Sequence, residues 1–216
     1  MNLVLSSQLG VTVQLGMFDA IKDMFFVNPV FLFGIIVICM MVMIIYKKNG
    51  IMPKVKTVIL LLLFYYYLCV MLTNIVGIPC ISEYIRMARL KVGIFNPHIN
   101  LMPFIDGLSL GFLMNIILFI PLGFLCPLIA EKYQHIKNIL LIGCGLSFSI
   151  EMVQLFTLYR VTDINDLLAN VMGTVIGYFC YRIIHKITKS HIKTQDNMWY
   201  VPVIIIITTF ILGFFR

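Results

Sequence analysis

Charge is what this sequence has least of. Only 12% of its residues are Asp, Glu, Lys or Arg, about half the fraction of an ordinary soluble domain. No polar linker or charge-rich block divides the chain, so one helical unit is expected rather than two domains. Metal and redox pairings are also missing. The six cysteines, Cys39, Cys69, Cys80, Cys126, Cys144 and Cys180, include no C-x-x-C pair. Most stand in apolar runs and read as small buried hydrophobes. Neither H-x-x-x-H nor H-E-x-x-H occurs, which removes support for a zinc hydrolase. No G-x-S-x-G or Walker pattern appears either. No metal and no cofactor is expected. The stretch "MNLVLSSQLGVTVQLGMFDAIKDMFF" has no basic n-region, since Lys22 comes late. It reads as an amphipathic or interfacial segment over 1–26, with a weak extra span as the alternative, rather than a cleavable signal peptide.

What is present in excess is apolar sequence. Hydrophobic residues make up 61% of the 216, and mean hydropathy is +1.02. About 20 apolar residues cross the hydrocarbon core as a helix. Six such runs are predicted, at about 27–46, 57–79, 108–130, 138–158, 164–183 and 199–215. The last is short, with Trp199 and Tyr200 marking its interface. The expected fold is all-α, a polytopic integral membrane helical bundle of about six transmembrane helices. Segment 27–98 holds the first two spans and a loop, 99–183 the next three, and 184–216 a basic loop and the final span.

Loop charges give a direction. Of the 16 basic residues, ten fall on one side: Lys47, Lys48, Lys54, Lys56, Lys132, Lys137, Arg182, Lys186, Lys189 and Lys193. Lys22, Arg86, Arg89, Lys91, Arg160 and Arg216 fall on the other. The first side is expected to be cytoplasmic, with both termini outside. The net charge of +7 belongs to these basic loops. No stacked-aromatic or basic-helix pattern accompanies it, so no nucleic-acid partner is expected.

Three of the spans interrupt their apolar sequence with polar residues. In span four, Ser147, Glu151 and Gln154 stand at i, i+4 and i+7, within about a 60° arc at 100° per residue. Glu151 falls about eight residues before the expected outer end of that span, roughly 12 Å below it. Placing a charge near mid-membrane costs on the order of 2.5–3.5 kcal/mol, so Glu151 must face protein or water. In span five, Asp163, Asp166, Asn170, Gly173 and Gly177 share about an 80° arc, and the glycines form G-x-x-x-G, which admits another backbone. Arg160 falls in the short turn between the two. Span three contributes Asn115, with Pro121 and Pro127 expected to kink it. These groups are predicted to line one pocket, open to the outside. Each also has a plainer role. Glu151 would fix register against Asn115, Thr162 or Asp163 would cap span five, Arg160 would anchor at the interface, and the glycines would pack.

Taken in order, "INLMPF" at 99–104, "NIILFIPLGFLCP" at 115–127, "SFSIEMVQ" at 147–154 and "RVTDINDLLANVMGTVIGY" at 160–178 resemble the VanZ-like family. The resemblance implies that Asn100, Pro103, Phe104, Asn115, Phe119, Pro121, Gly123, Ser147, Glu151, Gln154, Arg160, Asp163, Asp166, Asn170, Gly173 and Gly177 carry the family signature. It implies a bacterial plasma-membrane protein acting at the cell envelope, in a family named for lowering susceptibility to glycopeptide antibiotics, teicoplanin above all. It supplies no reaction.

Three readings compete. In the first, the pocket binds an amphiphile: a membrane lipid headgroup, a lipid-linked cell-wall precursor, or the tail of a lipoglycopeptide. Arg160 would meet its phosphate or carboxylate, Asn115, Gln154 and Asn170 would orient it, and Glu151 would hold a polar contact or a proton. In the second, Glu151 is the general acid or base of a membrane enzyme, with Asp163 and Asp166 sharing a divalent cation. The third is a small transporter with a broken span three, although no second half repeats the first.

Overall fold

The structure is a computed structural model, and it describes residues 4–6, 12–14, 29–48, 50, 54–91, 93, 95, 99–100, 102–104, 109–157, 162–188 and 198–216. Strands β1 (Val4–Ser6) and β2 (Thr12–Gln14) pair antiparallel. Of the segment 1–26, expected to be interfacial, these two strands are the described part, and the remainder lies outside the described residues. Both strands carry a β-branched residue, and Gly10 lies in the sequence between them. Pairing satisfies their backbone groups without a helix.

Among the described residues seven helices follow. They are α1 (Pro29–Lys48), α2 (Val55–Cys69), α3 (Ile81–Arg89), α4 (Leu110–Ile129), α5 (Ile136–Gln154), α6 (Ile164–Thr188) and α7 (Tyr200–Phe214). Helix α2 runs on as a π-helix over Val70–Ile75, so that five elements are long and apolar enough to cross a membrane. Helix α7 is apolar but shorter. The chain is an all-α, multi-pass membrane protein, and the expected spans coincide with α1, α2, α4, α5, α6 and α7.

Local chemistry sets several boundaries. Helix α1 ends on Lys47 and Lys48, cations that suit a helix C-terminus. The Ser109 hydroxyl caps α4 by accepting from the Phe112 N–H at 3.1 Å. The π-helix stops at Gly77, whose φ of +67° is open to glycine at little cost, and Pro79 follows. Helix α3 falls in what reads as an outer loop. Its Ile81, Tyr84, Ile85 and Ala88 recur at helical spacing among Ser82, Glu83, Arg86 and Arg89, a short amphipathic pattern.

Helices α4 and α6 form the closest pair, with α5 beside both, while α1, α2 and α7 pack together on the other flank. The α4–α6 contact is made backbone to backbone. A Cβ at Gly173 would overlap the Ile116 carbonyl, and one at Gly177 the Ile120 carbonyl. In return, a Cβ at Gly123 would overlap the Thr174 carbonyl. The G-x-x-x-G face of α6 is thus the packing surface expected of it. Helix α4 continues as one element through Pro121 and Pro127. Beside Pro121, the Tyr67 hydroxyl donates to the Leu118 carbonyl at 2.8 Å, joining α2 to α4.

Contacts between distant residues define the two ends of the bundle. At one end the Tyr133 hydroxyl donates to the Trp199 carbonyl, Lys132 Nζ lies 3.6 Å from the centre of the Trp199 ring, and the Tyr178 hydroxyl donates to the Gln134 carbonyl at 2.8 Å. At the other end Arg216 Nη2 donates to the Ile78 carbonyl at 3.3 Å. That second end also carries the polar cluster. All six cysteines are free; Cys69, Cys80 and Cys126 are buried, Cys39 and Cys180 half-buried, and Cys144 exposed.

Candidate functional site

The cluster begins in the last turn of α5. Ser147, Glu151 and Gln154 are buried on one face, at 0%, 5% and 6% exposure. Helix α5 ends at Gln154 rather than near 158. The Thr157 N–H and hydroxyl both turn back to the Gln154 carbonyl, at 3.0 and 2.7 Å, and satisfy it outside the helix. Glu151 therefore sits about 4.5 Å from the helix end at 1.5 Å per residue, and not the 12 Å expected from a longer span.

Helix α6 starts against it. Glu151 Oε2 accepts the Asp163 N–H at 3.2 Å, and the Glu151 carbonyl accepts the Thr162 hydroxyl at 3.1 Å. Further along, Asn170 Nδ2 donates to Ser147 Oγ at 3.0 Å, and the Thr174 hydroxyl donates to the Asn170 carbonyl at 2.9 Å. The two helices are thus stitched at two levels, Glu151 to Asp163 and Ser147 to Asn170. Asp166 lies close enough for its charge to act on Glu151.

Asp163 has a structural duty as well. Its Oδ1 accepts the Asn165 N–H at 2.9 Å and Asn165 Nδ2 at 3.0 Å. The first is the bond by which an N-cap side chain satisfies the first turn of a helix. Residues 99–100 and 102–104 then form a strap over this helix start. Strand β3 (Ile99–Asn100) pairs in parallel with β4 (Thr162–Asp163). Asn100 Nδ2 donates to Asp163 Oδ2 at 3.4 Å, and the Phe104 N–H donates to Asn165 Oδ1 at 2.9 Å. Phe104 takes φ of +59°, uncommon for a side chain of that bulk, and the Asn165 bond holds it there.

Of the expected site residues, Ser147, Glu151, Asp163 and Asn170 are joined by hydrogen bonds, with Asp166 beside them and Gln154 buried on the same α5 face. Asn115 is half-buried on α4. It precedes Ile116, whose carbonyl meets Gly173, so it lies about 3 Å further along the bundle than Asn170 at 1.5 Å per residue. Among the described residues no hydrogen bond links it to the cluster. Arg160 lies outside the described residues. Two participants went unread in the sequence: Asn165, which fastens the strap, and Thr174, fully buried against Gly143. Asn165 carried a signal, an amide two residues after Asp163 at a helix start.

Two acceptors inside the cluster lack a partner. Gln154 Oε1 and Asn170 Oδ1 are buried without a hydrogen bond, a state that costs free energy unless something donates to them. Apolar rings lie at the same end. Phe156 is tilted against Phe95 with centroids 5.7 Å apart, and Phe104 meets Phe112 edge-on at 5.6 Å, with Phe95 and Phe104 exposed.

A family model described as VanZ/LLP1 matches residues 31–185, more than two thirds of the chain. The whole polar cluster falls within the match. No curated protein and no solved structure gives a significant match.

Proposed function

The chain belongs to the VanZ/LLP1 family, and from that premise we propose that it is a bacterial cell-envelope membrane protein whose Glu151 cluster binds an amphiphilic ligand at the outer face of the plasma membrane. Occupancy of that site would lower susceptibility to glycopeptide antibiotics such as teicoplanin. The carrying observation is the pair of buried, unpartnered amide oxygens of Gln154, one turn beyond Glu151 on α5, and of Asn170, bonded through its nitrogen to Ser147 one turn before it. Groups in that state call for a ligand or water to complete them. Ionisable groups inside a membrane bundle are functional candidates for the same reason. The apolar rings of Phe95, Phe104 and Phe156 at the same end suit a ligand that also carries a tail. The basic residues around Lys47, Lys132 and Arg182 would face the cytosol, leaving the cluster and both termini outside. Arg160, in the turn between α5 and α6, is assigned to the ligand's phosphate or carboxylate.

The test is teicoplanin susceptibility of cells carrying Glu151→Gln or Arg160→Ala at normal membrane levels. Loss of protection in both supports the reading, and full protection in both removes it. A second reading rests on Glu151 meeting the start of α6, where Asp163 and Asp166 stand, since neighbouring carboxyls can supply a general acid or base. It would make the protein an enzyme on a lipid headgroup or wall precursor. The shared divalent cation gains no support, because no three metal-ligating side chains cluster among the described residues. A new or missing lipid or precursor species in a deletion strain would favour the enzyme. An unchanged profile would favour binding.

A further inference from the structure

The unpartnered groups in the cluster are all of one kind. Gln154 Oε1 and Asn170 Oδ1 are hydrogen-bond acceptors, in side chains only 6% and 3% exposed. Both belong to the α5–α6 seam. Asn170 bonds Ser147 across it, and Gln154 is one turn on from Glu151. A carboxylate offers about four lone-pair sites, and the bond to Glu151 described above is a single backbone N–H from Asp163. Charge points the same way. Glu151, Asp163 and Asp166 supply three carboxyls, and the turn joining α5 to α6 supplies one cation, Arg160. An anion would find few donors in the seam and several acceptors.

Burial narrows the choice further. Ser147, Glu151 and Asn170 are between 0% and 5% exposed, so a group bound among them has to be small.

We propose that the buried part of this site takes a primary ammonium group carried on an amphiphile, with Gln154, Glu151 and Asn170 as its acceptors. This rests on the reading of the cluster as a ligand site and adds what the ligand must present. An ammonium offers three donors and a positive charge, matching acceptors and carboxyls together. A trimethylammonium has the charge but no N–H. Two sources share the chemistry: an ethanolamine phospholipid and the free amine of a lipid-linked wall precursor.

The experiment is native mass spectrometry of the full-length protein with defined amphiphiles. The first series is phosphatidylethanolamine, its N-acetyl derivative and phosphatidylcholine. The second is an amine-bearing wall precursor, free and N-acetylated. A free amine should be retained at least about tenfold better than its blocked form, as expected for one charge-assisted hydrogen bond. Glu151→Gln and Gln154→Leu should each reduce that ratio towards one. Preference for the first series identifies a phospholipid source, and for the second a wall precursor; either supports the proposal. Equal retention of free and blocked forms overturns the ammonium assignment and leaves the amphiphile reading standing. Retention of no amphiphile overturns both, and the orphan oxygens then bind only trapped water. The headgroup comparison on the unmodified protein decides even where a variant fails to fold.

Discussion

Glu151 Oε2 accepts the backbone N–H of Asp163 at 3.2 Å, across the seam between α5 and α6. One carboxylate therefore closes a helix–helix contact between two unpartnered acceptors, Gln154 Oε1 one turn further along α5 and Asn170 Oδ1 at the level of Ser147 one turn before. Structure and function meet at that residue, and substitutions can separate them.

Glu151→Gln keeps an oxygen able to accept the Asp163 N–H, so thermal stability in detergent should fall by less than about 1 kcal/mol. Protection should nevertheless be lost. Glu151→Ala removes the acceptor and should cost about 1–3 kcal/mol, the penalty of a buried unsatisfied N–H. Paired melting curves check the difference.

Asp163→Ala removes the acceptor of the Asn165 N–H and of Asn100 Nδ2. Loss of an N-cap side chain costs about 1 kcal/mol. The strap at 99–100 and 102–104 should also loosen. Hydrogen exchange should speed up at Phe104 and around Asn100, while amides in the middle of α4 stay protected.

Gly177→Ala places a methyl group onto the Ile120 carbonyl, a backbone atom that cannot rotate aside. Helix α4 and helix α6 must then separate, at about 1–3 kcal/mol for an overpacked site. Gly145→Ala, whose added Cβ meets nothing within 4 Å, is the control and should leave the melting temperature unlowered, alanine being the better helix former.

Tyr67→Phe deletes the hydrogen bond from its hydroxyl to the Leu118 carbonyl, together with a weak one to Met71 Sδ on its own helix. Such bonds between membrane helices average about 0.6 kcal/mol. A small shift of that size is expected in unfolding titrations, with no effect on ligand retention.

Much of this arrangement is legible in the sequence because its signals are local. A run of about 20 apolar residues needs no partner to be recognised, and Ser147, Glu151 and Gln154 declare a shared face by spacing alone. The Gly173/Gly177 pair announces close packing in the same way. What stays hidden depends on partners far away in sequence. Nothing in "INLMPF" says that Asn100 pairs with Asp163, 63 residues on. The π-helix at Val70–Ile75 lies in apolar sequence without a proline to mark it. The end of α5 at Gln154 escapes notice because Leu155, Phe156 and Leu158 continue the apolar pattern past it. The strands at Val4–Ser6 and Thr12–Gln14 are too short for periodicity to separate them from an amphipathic helix.

The most direct measurement is an experimental structure of the protein in a lipid nanodisc made with an ethanolamine phospholipid. The account predicts headgroup density within hydrogen-bonding distance of Glu151 and Gln154, with the tail leaving past Phe156. A seam filled by side chains and water alone, with every lipid on the outer surface of the bundle, would contradict it.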